Sequence, residues 1–300
     1  MIKNIGKAVL WIMLYSFAST IGILIAMGGA IASNWTTFSE MVNMSSDDFM
    51  EIWLDIILEA MIPGTCIAGI LCIIGFCVYK LISKQKIELF EVQPSKAVFC
   101  LSLGAVFNLI ITYVLDFVWE YLPESIADSA AEATEGLITN SFHWSFMLLA
   151  VGIIVPIAEE IIFRHGICRS VAKSNTKVAV ILSAIVFGLA HGNVVQGVYT
   201  AIMGVFCAFV MLNSNNLWYA IFIHIGLNST SVISTSITDE NLSNIIFLGM
   251  GFAGLLAVCT MLIHKPEIRA LLKRPSLAVA VSEPIPVCAE TTQNVESHGI

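Results

Sequence analysis

Glu159 and Glu160 with Arg164, then His191, then His224 with Asn228, lie in or at the end of long apolar runs. An ionisable group at membrane depth is costly unless it is paired or hydrated, so it marks a functional position by default. In Val155-Pro-Ile-Ala-Glu159-Glu160-Ile-Ile-Phe-Arg164 everything is apolar except the acid pair and the base. On a helix, Glu160 and Arg164 are four apart with the acid first, the favoured order for an ion pair. Glu159 projects about 100° away, which leaves it free to face a cavity and serve as a general base. Phe187-x-x-x-His191 sets an aromatic ring one turn before a histidine that can orient water, carry a proton or bind a metal. Asn193 and Gln196 nearby favour a hydrated site. His224 and Asn228 share one helix face and can donate two hydrogen bonds to one developing oxyanion.

Each cluster alone has an ordinary structural explanation. Arg164 can snorkel to the interface, and His191 can be a satisfied group at a helix end. His224 and Asn228 can join helices by hydrogen bonds. Taken together, a free acid, two histidines and an amide on consecutive spans fit hydrolysis of an amide or ester. Glu159 is then the base, with His191 helping to activate water. His224 and Asn228 hold the oxyanion. In a metal variant, His191 and His224 are zinc ligands and Glu159 is ligand or base.

The elements that must position these groups are membrane helices. The chain of 300 residues is 57% hydrophobic and 12% charged, against about 25% charged for a soluble domain. No basic stripe points to nucleic acid despite the net charge of −8. Roughly 20 apolar residues cross a bilayer. Eight candidate spans lie at 8–32, 54–82, 98–119, 144–163, 178–196, 197–212, 217–237 and 244–263. The expectation is an all-α polytopic bundle of about eight transmembrane helices. Gly192, Asn193, Gln196 and Gly197 provide the break between the fifth and sixth.

All 14 Lys and Arg residues fall before span one, in alternate connections, or after span eight, while the other connections are acidic. The positive-inside rule then places both termini in the cytoplasm. Lys3, Lys7 and Ala30-Ile-Ala32 also resemble a signal peptide, but the apolar run is longer than usual and reads as a retained span. Three stretches result: 1–139 with spans one to three, 140–263 with spans four to eight and the chemistry, and 264–300 as a cytoplasmic tail, disordered in its second half. Six of the eight cysteines lie in apolar runs as small hydrophobes, and Cys288 in the tail is the candidate free thiol. Asn34-Trp-Thr36 and Asn43-Met-Ser45 match the glycosylation sequon. Gly249-x-Gly251-x-x-Gly254 sits inside an apolar span with no strand before it, so it reads as helix packing rather than nucleotide binding.

The set Glu159-Glu160-x-x-x-Arg164, Phe187-x-x-x-His191 and His224-x-x-x-Asn228, in order on successive spans, resembles the three signature motifs of the CPBP intramembrane proteases. That family groups type II CAAX prenyl endopeptidases with bacteriocin-processing and immunity (Abi) proteins, and the matching core covers about 140–240. The resemblance implies an eight-helix bundle, with Glu159, His191, His224 and Asn228 catalytic and Glu160, Arg164 and Phe187 supporting. It implies a metalloprotease class, with a metal-free glutamate–histidine water mechanism as the competing view. The implied substrate is a peptide or a lipidated, membrane-associated protein. CAAX processing, bacteriocin or pheromone maturation and self-immunity are all open. The rival is a non-catalytic immunity or binding protein, or a transporter relaying protons through Glu159 and His191.

One expectation concerns depth. A span four ending near Phe163 puts Glu159 about 6 Å from the cytoplasmic boundary, while His191 lies roughly 20 Å deep and His224 about 10 Å. A joint site therefore requires span four to continue beyond Arg164, and it places the site in a cytoplasm-facing aqueous cavity.

Overall fold

A computed structural model describes residues 2–41, 45–84, 91–126 and 142–273. Among these there is no strand, as expected for a chain whose backbone must satisfy its own hydrogen bonds in lipid. Helix α1 (Ile2–Ser33) leads through the short α2 (Trp35–Glu40) into α3 (Ser46–Ile82). Then come α4 (Pro94–Trp119), α5 (Trp144–Ala172), α6 (Thr176–Leu189), α7 (Val194–Ser214), α8 (Leu217–Thr235), α9 (Glu240–His264) and α10 (Pro266–Leu272). Seven of them are long and apolar enough to cross a membrane: α1, α3, α4, α5, α7, α8 and α9.

The eighth expected span differs. Instead of running over 178–196, α6 has 14 residues and ends at Leu189, about 21 Å long against the roughly 30 Å of a hydrocarbon core. Hydropathy does not reveal this stop, because the sequence stays apolar. Backbone chemistry does: Gly192 takes a left-handed φ of 71°, and Asn193 caps α7 by accepting from the Gln196 N–H at 3.0 Å. The break thus falls at 190–193, and Gln196 and Gly197 lie inside α7. His191 is in the turn itself, just beyond α6.

Helix α5 runs on to Ala172, as the joint site required. Glu159 then lies about 20 Å from its far end, a depth that matches His191 beyond α6. The hydrogen bonding of α5 alternates. It is wound as a π-helix over Leu148–Ile154 and Glu160–Cys168, with an α-helical turn at Val155–Glu159 between them.

Small residues set the helix spacings. A Cβ on Gly104 of α4 would collide with the Ile223 carbonyl of α8, and one on Gly226 of α8 with the Leu101 carbonyl of α4. Gly226 lies between His224 and Asn228 in sequence, so this close crossing fixes the helix that carries both. Gly251 and Gly254 of α9 likewise meet Leu109 and Ser102 of α4, in keeping with the packing role read for the glycine-rich segment. Antiparallel α1 and α3 cross at Gly22 and Gly64. One apolar core extends from Trp11 and Ala18 of α1 through Ile162 and Phe163 of α5 to Ile223 of α8 and Ile268 of α10.

The start of the tail is not free. Ile268 and Leu271 of α10 are buried, and Asn213 of α7 donates to the carbonyls of Leu271 at 3.2 Å and Lys273 at 2.8 Å. Residues 274–300 with Cys288, the Asn43 sequon position, and the loop charges Lys86, Asp128, Glu132 and Glu135 lie outside the described residues.

Candidate active site

Pro156 explains how α8 docks. It has no N–H, so a carbonyl one turn earlier in α5 loses its helical partner, Gly152 in α-winding or Val151 in π-winding. Both carbonyls are satisfied from α8: Asn228 Nδ2 donates to Val151 at 3.0 Å and Ser229 Oγ to Gly152 at 3.4 Å. A buried carbonyl without a partner is costly in lipid, so these bonds lock the two helices in register. In that register His224, one turn before Asn228, faces the acid pair.

Four charged or chargeable groups meet there. Arg164 Nε lies 3.0 Å from Glu160 Oε2, the ion pair expected from their spacing. His224 Nδ1 lies 3.0 Å from Glu160 Oε1, and its Nε2 is 3.7 Å from Glu159 Oε2. Glu160 and Arg164 are 0% exposed. Both ring nitrogens of His224 face carboxylate oxygens, an arrangement suited to a ring carrying both N–H groups. The Arg164 cation is paired with Glu160, the condition under which buried charge is tolerated. The Arg164 guanidinium also stands over the Phe187 ring, 4.3 Å from its centre. Its other flank lies against Gly204, where a Cβ would press to 3.3 Å from Nη2.

His191 is arranged differently. Its Nδ1 is 2.9 Å from the Phe187 carbonyl, and the Thr200 hydroxyl oxygen is 3.5 Å away. A carbonyl only accepts, so Nδ1 carries the proton and Nε2 keeps its lone pair. The ring meets Phe187 edge-on at 4.8 Å between centres, and Phe187 meets His224 at 5.7 Å. Phe187, fully buried, is therefore the spacer between the two histidines and the seat of Arg164.

The structure brings Glu159, Glu160, Arg164 and His224 into one cluster and joins Phe187 and His191 to it. Two expectations change. Glu159 does not face open solvent: it is 7% exposed, with His224 Nε2 of α8 3.7 Å from its carboxylate. Asn228 commits one amide N–H to the Val151 carbonyl, which leaves only its second N–H for any other acceptor. Residues that sequence reasoning missed are Thr200, Gly204 and Ser229. Pro156 was a readable signal for the demand that Asn228 and Ser229 meet.

Among the described residues, no three His, Cys, Asp or Glu side chains converge as a metal-holding group. Glu159 and His224 approach each other, but His191 does not complete a third ligand. As placed, the donor set does not fit a zinc site.

Residues 141–230, spanning α5 to α8, match the family model of the Rce1-like type II CAAX prenyl endopeptidases. The chain is 33% identical over 104 residues to the Bacillus subtilis (strain 168) protein named "Putative membrane peptidase YdiL", which covers 34% of this chain and 43% of that protein. The chain thus spans less than half the length of this curated relative. No solved structure matches.

Proposed function

We propose that the chain is a CPBP-type protein, on the match of its residues 141–230 to the Rce1-like family model, and that it has the activity of an intramembrane endopeptidase. It hydrolyses a peptide bond in a membrane-associated or lipidated protein or peptide. The observation that carries this reading is the run of contacts from Glu159 to His224 and, across the Phe187 ring, to His191.

In the mechanism, water donates one hydrogen bond to Glu159 and one to His191 Nε2. Glu159 takes the proton as the water oxygen attacks the peptide carbonyl carbon. The carbonyl oxygen becomes an oxyanion. His224 Nε2–H and the second Asn228 N–H are the donors that stabilise it. The tetrahedral adduct then breaks its C–N bond, and Glu159 returns the proton to the leaving nitrogen. The products are a new carboxylate and a new amine. Glu160 and Arg164 act through His224: they fix its ring and balance its charge. No step passes through a metal. The basic connections face the cytoplasm, and with them both termini.

The test is a cleavage assay on purified protein in detergent, with a panel of peptides carrying prenyl, acyl or no lipid. Wild type cleaves, Glu159→Ala and His191→Ala lose most of that rate, and a chelator changes nothing. The lipid on the cleaved peptide separates prenyl-terminal processing from maturation of an unprenylated peptide. Loss of cleavage with chelator would replace the metal-free mechanism. No cleavage across the panel would favour the binding or transport reading.

A further inference from the structure

We infer that the cluster is entered from the acidic end of the bundle, beside the turn between α6 and α7, so that the peptide bond it takes is presented on the membrane face away from the cytoplasm. This rests on the endopeptidase reading and on the placing of the basic connections in the cytoplasm. It reverses the cytoplasm-facing cavity expected from helix depths.

Helix directions fix which end is which. Helix α5 ends and α6 starts among Arg169, Lys173 and Lys177, and α7 ends where Asn213 holds the Lys273 carbonyl at 2.8 Å. The turn at 190–193, with His191, therefore lies at the opposite end. That is the end of Glu120, Glu124, Asp239 and Glu240. A small cleft opens there, lined by Asn193, Val194 and Val195 of the turn and by Ser125 and Ile126 of the connection that follows α4.

Exposure within the cluster grades toward the same end. Glu159, Glu160, Arg164 and His224 are buried, whereas His191 and Asn228 are half-buried. Asn228 lies one turn past His224 in the direction that α8 takes away from the basic end. The composition of α8 changes at the same place. Residues 217–223 are apolar but for the Tyr219 hydroxyl, while Asn228, Ser229, Thr230, Ser231, Ser234 and Thr235 follow His224. Such groups at membrane depth belong against protein or a water-filled path. Some donate back to their own helix, as Thr235 does to the Ser231 carbonyl at 3.0 Å, and keep oxygen lone pairs for water.

The basic end is closed by packing. One apolar core joins Ile167 and Val171 of α5, Met211 of α7, Ala220 of α8, and Ile268 and Leu271 of α10, each no more than 5% exposed. A close-packed interior of this kind leaves no path for water or a peptide. The substrate is then an exported peptide, or the outer segment of a membrane-anchored protein.

The experiment reads access without any substrate. Val194→Cys and His191→Cys report the turn, and Lys177→Cys reports the basic end. A small membrane-impermeant thiosulfonate is added to intact cells or to inverted membrane vesicles. Mass spectrometry of the purified protein then counts label above that of wild type. The expected result is a gain of label on Val194→Cys and His191→Cys in intact cells, and on Lys177→Cys only in inverted vesicles. Label on either turn variant from inverted vesicles alone overturns the inference. So does a His191→Cys that takes label from neither side, while Val194→Cys, on the surface of the turn, still reports its side. Labelling as expected together with no cleavage of the peptide panel overturns the endopeptidase reading and leaves the entrance standing.

Discussion

The two histidines of the cluster sit on either side of one phenylalanine and are held by opposite means. His224 is buried in α8, with each ring nitrogen turned to a carboxylate and Arg164 closing the charge balance. His191 lies in the turn after α6, fixed at one nitrogen by a neutral carbonyl and open at the other. One is positioned by charge in the interior of the bundle, the other by backbone geometry at a helix end. A group whose partners are charges is part of what holds the fold. A group held at one nitrogen by neutral partners has its other nitrogen available for chemistry.

The comparison breaks most visibly at Arg164. Arg164→Met leaves Glu160 buried without its cation and should destabilise the bundle by about 3–5 kcal/mol. Thermal melting in detergent checks it, and an unchanged melting temperature would mean that His224 alone balances the acids. On the other side, His191→Ala should leave melting unchanged while cleavage falls about a hundredfold. If His191→Ala instead melts like Arg164→Met, the contrast between the two histidines is wrong. Thr200→Val removes the oxygen 3.5 Å from His191 Nδ1 and should lower cleavage by less than about tenfold. The smallest effect belongs to Ser229→Ala. It strips a 3.4 Å bond from the Gly152 carbonyl and should cost roughly 0.6 kcal/mol of stability with cleavage intact.

What could be read from the sequence follows the same division. The Glu160–Arg164 pair was legible because four residues on a helix fix a distance whatever the fold around them. The long spans were legible because bilayer thickness sets their length. The end of α6 was misplaced because the apolar run continues past Leu189 into Val194 and Val195, so hydropathy has no edge there. The edge comes from the φ of Gly192 and the cap at Asn193, both present in the sequence but outweighed by the run. The enclosure of Glu159 was not legible, because its burial beside His224 depends on a helix that only the fold brings alongside. Asn228 lies between these cases. Its face beside His224 was readable from spacing, but its bond to Val151 depends on Pro156 in a helix that only the fold brings alongside.

The central claim is that Glu159 moves a proton from water to the leaving nitrogen. It is tested most directly by cleaving a membrane-anchored peptide in water enriched in oxygen-18, with wild type and Glu159→Gln side by side, and weighing the products. Wild type should place one heavy oxygen in the new carboxyl terminus, and Glu159→Gln should lose on the order of a thousandfold in rate. Product from Glu159→Gln at the wild-type rate would contradict the role of the base, and a product without heavy oxygen would contradict hydrolysis itself.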